Sequence, residues 1–158
     1  MAAPTVTART TPTGWKMPDG FKTTLTFASK PGIALWEQSI KPPSIDGGGP
    51  IPTTTMLNVR VRTQRAKKLY TYSAVSGSFA FDPDVMIDII ALVNAEQAIT
   101  LTWPDGSTMA FWGYLDKFEP GEQKEGDMPM AGVTVEITNW DPVNNVEAEA
   151  VYAAAAGT

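Results

Sequence analysis

Ala98 to Phe118 reads AITLTWPDGSTMAFWGYLDKF, and this stretch decides the fold class. A run of apolar and β-branched residues, Ala98 to Trp103, meets Pro104-Asp105-Gly106 and is followed by a second run, Ser107 to Phe118. Pro presets φ, Asp bonds its own backbone and Gly accepts a left-handed conformation, so the pattern predicts a β-hairpin. In the second arm Trp112, Tyr114, Asp116 and Phe118 share one face of an extended chain, and Phe111, Gly113 and Leu115 share the other. Large apolar groups on both faces mean that neither is fully solvated. One faces the core, and the other is a second core face or a subunit contact.

Downstream, Glu119 to Met128 (EPGEQKEGDM) reads as an acidic loop. Ala131 to Trp140 (AGVTVEITNW) then alternates as a strand, with Val133, Val135 and Ile137 on one face and Thr134, Glu136 and Thr138 on the other. Residues 143–158 turn small and rich in Ala and Glu, and are expected to be a C-terminal tail. Upstream, Asp82 is an N-cap, Pro83 takes the first helical position, and Asp84 and Asp88 favour the positive end of the dipole. Val85, Met86, Ile89, Ile90 and Val93 form one apolar stripe suited to packing on a sheet, and Asn94 ends this helix.

The first half is less regular. Residues 1–20 are rich in Thr, Ala and Pro and read as a flexible arm. Phe21 to Ala28 alternates as a strand, Pro31-Gly32 marks a turn, and Ile33 to Ile40 reads as the return strand of a hairpin. Lys41 to Thr55 (KPPSIDGGGPIPTTT) is expected to be a long loop, because its prolines and glycines suit neither a central strand nor a helix. Met56 to Arg62 and Leu69 to Ser73 read as strands joined by a basic turn, Gln64 to Lys68. Val75 to Phe81 is a further strand, with Gly77 a bulge or a close contact. The expectation is a mainly-β domain over residues 21–142, a β-sandwich or partly open barrel of about eight strands with one flanking helix.

Composition narrows the chemistry. The 158 residues contain no Cys and no His, which removes disulfides, thiolate or imidazole metal sites, and Ser-His-Asp catalysis. No apolar run approaches a membrane span, so no membrane association is expected. The net charge of −5 conceals a split. Residues 1–68 hold ten of the twelve basic and three of the seventeen acidic side chains, and residues 69–158 hold the remainder. A two-sided subunit of this kind attracts copies of itself head to tail, and lacks the dominant basic face of a nucleic-acid binder.

Three clusters resemble sites. Asp46-Gly47-Gly48-Gly49 looks like a phosphate loop, but no helix start and no Lys-Ser/Thr pair follow it. Glu119, Glu122, Glu125 and Asp127 lack calcium-loop spacing, and nothing marks a cleft for a carboxylate hydrolase. Arg60, Arg62, Arg65, Lys67 and Lys68 lie near Tyr70 and Tyr72, yet a solvated turn, or a contact to an acidic loop on another copy, suits them better than nucleic acid. No catalytic residue, metal or cofactor is expected.

The order of these parts resembles the major tail protein, or tail tube protein, of long non-contractile-tailed bacteriophages. The resemblance rests on the early hairpin Phe21 to Ile40, the loop KPPSIDGGGPIPTTTM, the Asp-Pro-Asp-capped helix, the WPDGS hairpin and the terminal GVTVEITNWDP strand, and covers residues 20–142. It implies a structural virion protein, made in the host cytoplasm, that closes rings of six. Those rings would stack into a tube carrying DNA and the tape-measure protein, without sequence-specific binding. Tail terminator and initiator proteins would be its other partners. Candidates for contacts between subunits and rings are Ile45, Asp46, Gly47, Gly48 and Ile51 in the long loop, Arg62, Arg65, Lys67 and Lys68 in the basic segment, and Glu119, Glu122 and Glu125 in the acidic loop. Thr134, Glu136 and Thr138 are candidates to face an acidic, Thr-lined lumen that repels DNA phosphates. The alternatives are another ring-forming tail or secretion-tube component, and a carbohydrate-binding β-sandwich with an exposed Trp36 or Trp112.

Overall fold

The computed structural model describes residues 3, 20, 23–31 and 36–155. Most of the expected N-terminal arm, Phe21, Gly32 and residues 33–35 lie outside the described residues, as do Trp15 and residues 156–158. In chain order the strands are β1 (Thr24–Phe27), β2 (Trp36–Lys41), β3 (Ile45–Asp46), β4 (Pro50–Pro52), β5 (Gln64–Ala66), β6 (Thr71–Tyr72) and β7 (Val75–Ala80). A short 3-10 turn (Pro83–Val85) leads into helix α1 (Met86–Leu92). Then come β8 (Gln97–Thr102), β9 (Thr108–Pro120), β10 (Met130–Ile137), β11 (Trp140–Asp141), β12 (Val146–Glu147) and β13 (Val151–Ala153). The fold is mainly β, as the residue pattern implies.

The WPDGS hairpin forms as read. Gly106 takes φ +91°, its N–H donates to the Trp103 carbonyl at 3.0 Å, and Asp105 accepts from both the N–H and the hydroxyl of Ser107. β8 and β9 then pair antiparallel from Thr102↔Thr108 to Gln97↔Gly113. β9 is the hub of the molecule, because its second half pairs with β10 while its first residues pair with β13. The sheet order is β1-β8-β9-β10-β7-β2, all antiparallel. This sheet is open, yet its edge strands are bridged: the Leu25 N–H on β1 donates to Glu37 Oε1 on β2 at 3.2 Å.

One face of that sheet makes the core. Leu25, Phe27, Val75, Phe79, Ile99, Leu101, Phe111, Leu115, Val133 and Val135 all bury their side chains, and Ile89 and Leu92 of α1 join them. A single sheet with a single short helix buries so many side chains only by curling around them.

Several expectations change. β1 and β2 do not form a hairpin: β1 pairs with β8 and β2 with β7, so they sit at opposite edges. The face assignment of Phe118 reverses, because the register shifts between Thr134 and Val135 and leaves Asp116 unpaired in a β-bulge. Beyond that bulge Phe118 turns onto the core and meets Phe81, ring centroids 5.4 Å apart. Gly77 is a close contact, since a Cβ there would lie 2.8 Å from the Ser39 carbonyl oxygen. In α1 the buried line is Ile89 and Leu92, whereas Ile90 and Val93 of the expected stripe are 62% and 38% exposed. Asp82 does cap the helical segment, accepting from the Asp84 N–H at 3.0 Å, and Asn94 stops it at φ 58°. The C-terminal stretch is not structureless: β12 pairs with β11, and β13 adds to β9.

Candidate functional site

The largest difference from the sequence reading creates the candidate site. Lys41 to Thr55 is not a loop followed by a strand. It is the outgoing limb of an arm, and Gln64 to Tyr72 is the returning limb. β3 pairs only with β6, in the register Ile45↔Tyr72, and β4 pairs only with β5, in the register Ile51↔Arg65. Pro50 and Pro52 fit because a two-stranded ribbon leaves one edge of each strand free of ladder bonds. Met56 to Arg62, read as a strand, is instead the tip. The Asn58 amide closes it, accepting from the Thr55 N–H at 2.8 Å and donating to the Val61 carbonyl at 2.9 Å.

The arm gathers nine of the expected contact residues. Ile45 and Asp46 stand at its root, where Asp46 Oδ1 accepts from the Gly48 N–H at 2.8 Å. Gly48 takes φ +80°, and the Lys67 side chain passes beside it. Gly47, Ile51, Arg62, Arg65 and Lys68 complete the two limbs. Residues 47–70 hold five basic side chains and no acidic one, so the arm is uniformly positive beyond its root. The root is held from the body side. Lys68, Tyr70 and Tyr72 meet Asn139, Glu147 and Glu149 around a cleft of about 90 Å³, and the Tyr72 hydroxyl lies 3.5 Å from Glu149 Oε1.

The arm is also apolar and bare. Met56 is 100% exposed, Leu57 89% and Val59 93%. Exposed apolar side chains gathered in one place mark an interaction surface.

Glu119, Glu122 and Glu125 sit elsewhere, and the registers say where. β2 reaches the arm at Lys41, opposite Ser76, at the start of β7. The acidic loop joins Pro120 of β9 to Met130 of β10, and Met130 pairs with Ala80 at the other end of β7. The basic arm and the acidic loop therefore leave opposite ends of the same strands, about 13 Å apart along β7. The start of α1 shares the acidic end, since the Phe81 N–H donates to the Pro129 carbonyl at 2.9 Å. Asp82, Asp84 and Asp88 thus join Glu119, Glu122, Glu125 and Asp127 at that pole. Its ion pairs are Lys30–Asp88 at 3.1 Å and Lys124–Asp127 at 3.4 Å.

Thr134 and Glu136 lie on the outer face of β10, opposite Ser76 and Tyr114. Thr24, Thr26, Thr100 and Thr102 line the same face across β1 and β8. Thr138 lies just past β10, tied to the Trp112 carbonyl through both its N–H and its hydroxyl. The hydroxyl character of this face is present, with Glu136 its carboxylate on β10. Trp112 is half-buried on it, and no flat exposed aromatic platform is formed by that residue.

No family model matches the chain, and no curated protein matches it. Solved structures do. The chain is similar to one from the virion of a native gene transfer agent (GTA) particle, with a TM-score of 0.62 and 10% identity over 87% of this chain and 100% of that one. It is also similar to a chain in the tail of an empty GTA particle, determined with C6 symmetry, with a TM-score of 0.50 and 7% identity over 76% of this chain and 84% of that one. At these identities the likeness is one of fold.

Proposed function

We propose that the chain is a structural subunit of a phage-like tail, that it closes rings of six, and that these rings stack head to tail into a tube whose lumen conducts DNA during ejection. It performs no catalytic step, and its partners are copies of itself and the other tail components, including the tape-measure protein, terminator and initiator. The observation that carries this reading is the placement of a bare, basic arm and an acidic pole at opposite ends of one sheet, within a fold like that of virion and tail chains. Poles of opposite charge at opposite ends cannot meet within one subunit and do meet between stacked ones. Such contacts are heterologous, and a heterologous contact that does not close makes a filament. The open sheet adds to this, because among the described residues no strand covers the outer edges of β1 and β2, which the Leu25–Glu37 bond alone bridges, and such edges can pair with a neighbour in a ring.

The test is the mass of the smallest assembled species, measured by mass photometry as concentration rises. The expected mass is six times the 17.0 kDa of the subunit. Another stable multiple would overturn the ring of six, and a subunit mass at every concentration would overturn assembly.

A further inference from the structure

Helix α1 does not cover all of the strand beside it. β8 ends its pairing with β9 at Gly113, and the Asn94 N–H makes the last bond on that side, to the Leu115 carbonyl. Asp116 sits in the bulge, and from Lys117 to Pro120 β9 is paired with β10 alone. Between that stretch and the helix runs a groove of about 350 Å³, floored by Ile89 and Phe118 and walled by Met86, Ile90 and Val93. Asp116, Lys117 and Glu119 form its charged side. The groove lies at the acidic pole, with Asp84 in the first turn of the helical segment and the acidic loop following Pro120.

We infer that this groove receives the tip of the arm of a second copy of this chain. The inference rests on the head-to-tail reading above and names the two surfaces that meet. Three properties match. Both surfaces are apolar at the centre: Met56, Leu57 and Val59 on the tip, and Met86, Ile90 and Val93 on the groove. Both are charged at the margin with opposite sign: Arg60 and Arg62 on the tip, and Asp116 and Glu119 beside the groove, where Lys117 offsets only one of the two carboxylates. The tip does not meet the groove of its own chain: no arm residue lines the groove, Met56, Leu57 and Val59 stay exposed, and β4 and β5 pair only with each other. The limb from Gly47 to Asn58 extends at most about 40 Å, enough to pass beyond its own subunit. Apolar contact then supplies the affinity, and the charges set orientation and rate.

The chain has no cysteine, so introduced thiols report a single contact. Val59→Cys and Ile90→Cys are made in separate copies, both at exposed positions whose substitution leaves the core intact. Under mild oxidant the mixture is expected to give at least tenfold more disulfide-linked dimer than either variant alone. In parallel, Ile90→Asp should raise the concentration at which assemblies appear by more than tenfold. Ile87→Asp, on the same helix but outside the groove, should leave it unchanged. Assemblies that form without the mixed disulfide, or Ile90→Cys coupling to another Ile90→Cys, would overturn the docking while leaving head-to-tail assembly intact. A chain that stays monomeric throughout would overturn both.

Discussion

At Gly113 a Cβ would press on the backbone carbonyl of Glu136 in the adjacent strand. Nothing flexible is available to move, so β9 and β10 must part or the chain must bend. Gly113→Ala is expected to lower stability by about 1–3 kcal/mol in urea denaturation, the usual cost of overpacking. An unchanged midpoint would contradict the close approach. Asp141 works through hydrogen bonds instead. Burial pushes its carboxyl up, but bonds from the Asn144 side chain and from the Asn144 and Val143 N–H groups outweigh this and hold it below 3.8. A depressed folded value stabilises the fold above the unfolded pKa, and that contribution is lost as pH falls through the folded one. Thermal scans should therefore show a steeper loss below about pH 4 in the native chain than in Asp141→Asn. Parallel curves would remove Asp141 from the acid response. Neither residue stood out in the sequence. Gly113 reads as a small residue among large ones on its face, but the carbonyl it makes room for is that of Glu136 on β10, outside its local stretch of sequence. Asp141 lies just past the expected strand, and its donors become neighbours only once the chain turns at 142–145.

The hairpin over 98–118, the capped helix and the 131–137 strand were all legible, and each for a local reason. A turn, a cap or an alternation is written within a dozen residues. The arm was not legible. Its limbs carry prolines and glycines, which argue against strands in a broad sheet but not in a ribbon of two, and its tip carries the alternation of a strand that has no sheet in its own chain. The β1–β2 pairing was misread for a similar reason: adjacency along the chain suggests a hairpin, whereas their partners β8 and β7 are non-local. Phe118 was misplaced because a one-residue bulge flips every later side chain, and no local pattern marks it. The arm also separates folding from assembly. Excising residues 50–66 and closing Gly49 onto Lys67 with a short glycine turn should leave the thermal midpoint within about 4 °C, since no core side chain is touched. The same excision should abolish the stacking of rings. A collapse of the midpoint would mean that the arm is part of the core.

Across the whole molecule, the charge split seen in the sequence becomes a geometric one. Basic side chains extend from the end of the sheet where β7 begins, and carboxylates crowd the end where it stops. The strand registers show that the arm and the carboxylates of 82–88 and 119–127 point away from each other, while Glu147 and Glu149 stay at the arm's root beside Lys68. Steering between exposed charges is screened by salt. Assembly followed by light scattering should therefore be slower at 0.5 M salt than at 0.05 M, and Lys67→Glu with Lys68→Glu should reproduce that slowing at low salt. Equal rates under all of these conditions would remove charge from the account.

Whether the arm joins copies end to end is decided most directly by negative-stain electron microscopy of the intact and arm-excised chains, side by side over one concentration series. The account predicts hollow rings and tubes that lengthen with concentration for the intact chain, and nothing longer than a single ring for the excised one. Single-subunit particles from the intact chain at every concentration, or tubes of equal length from both chains, would contradict it.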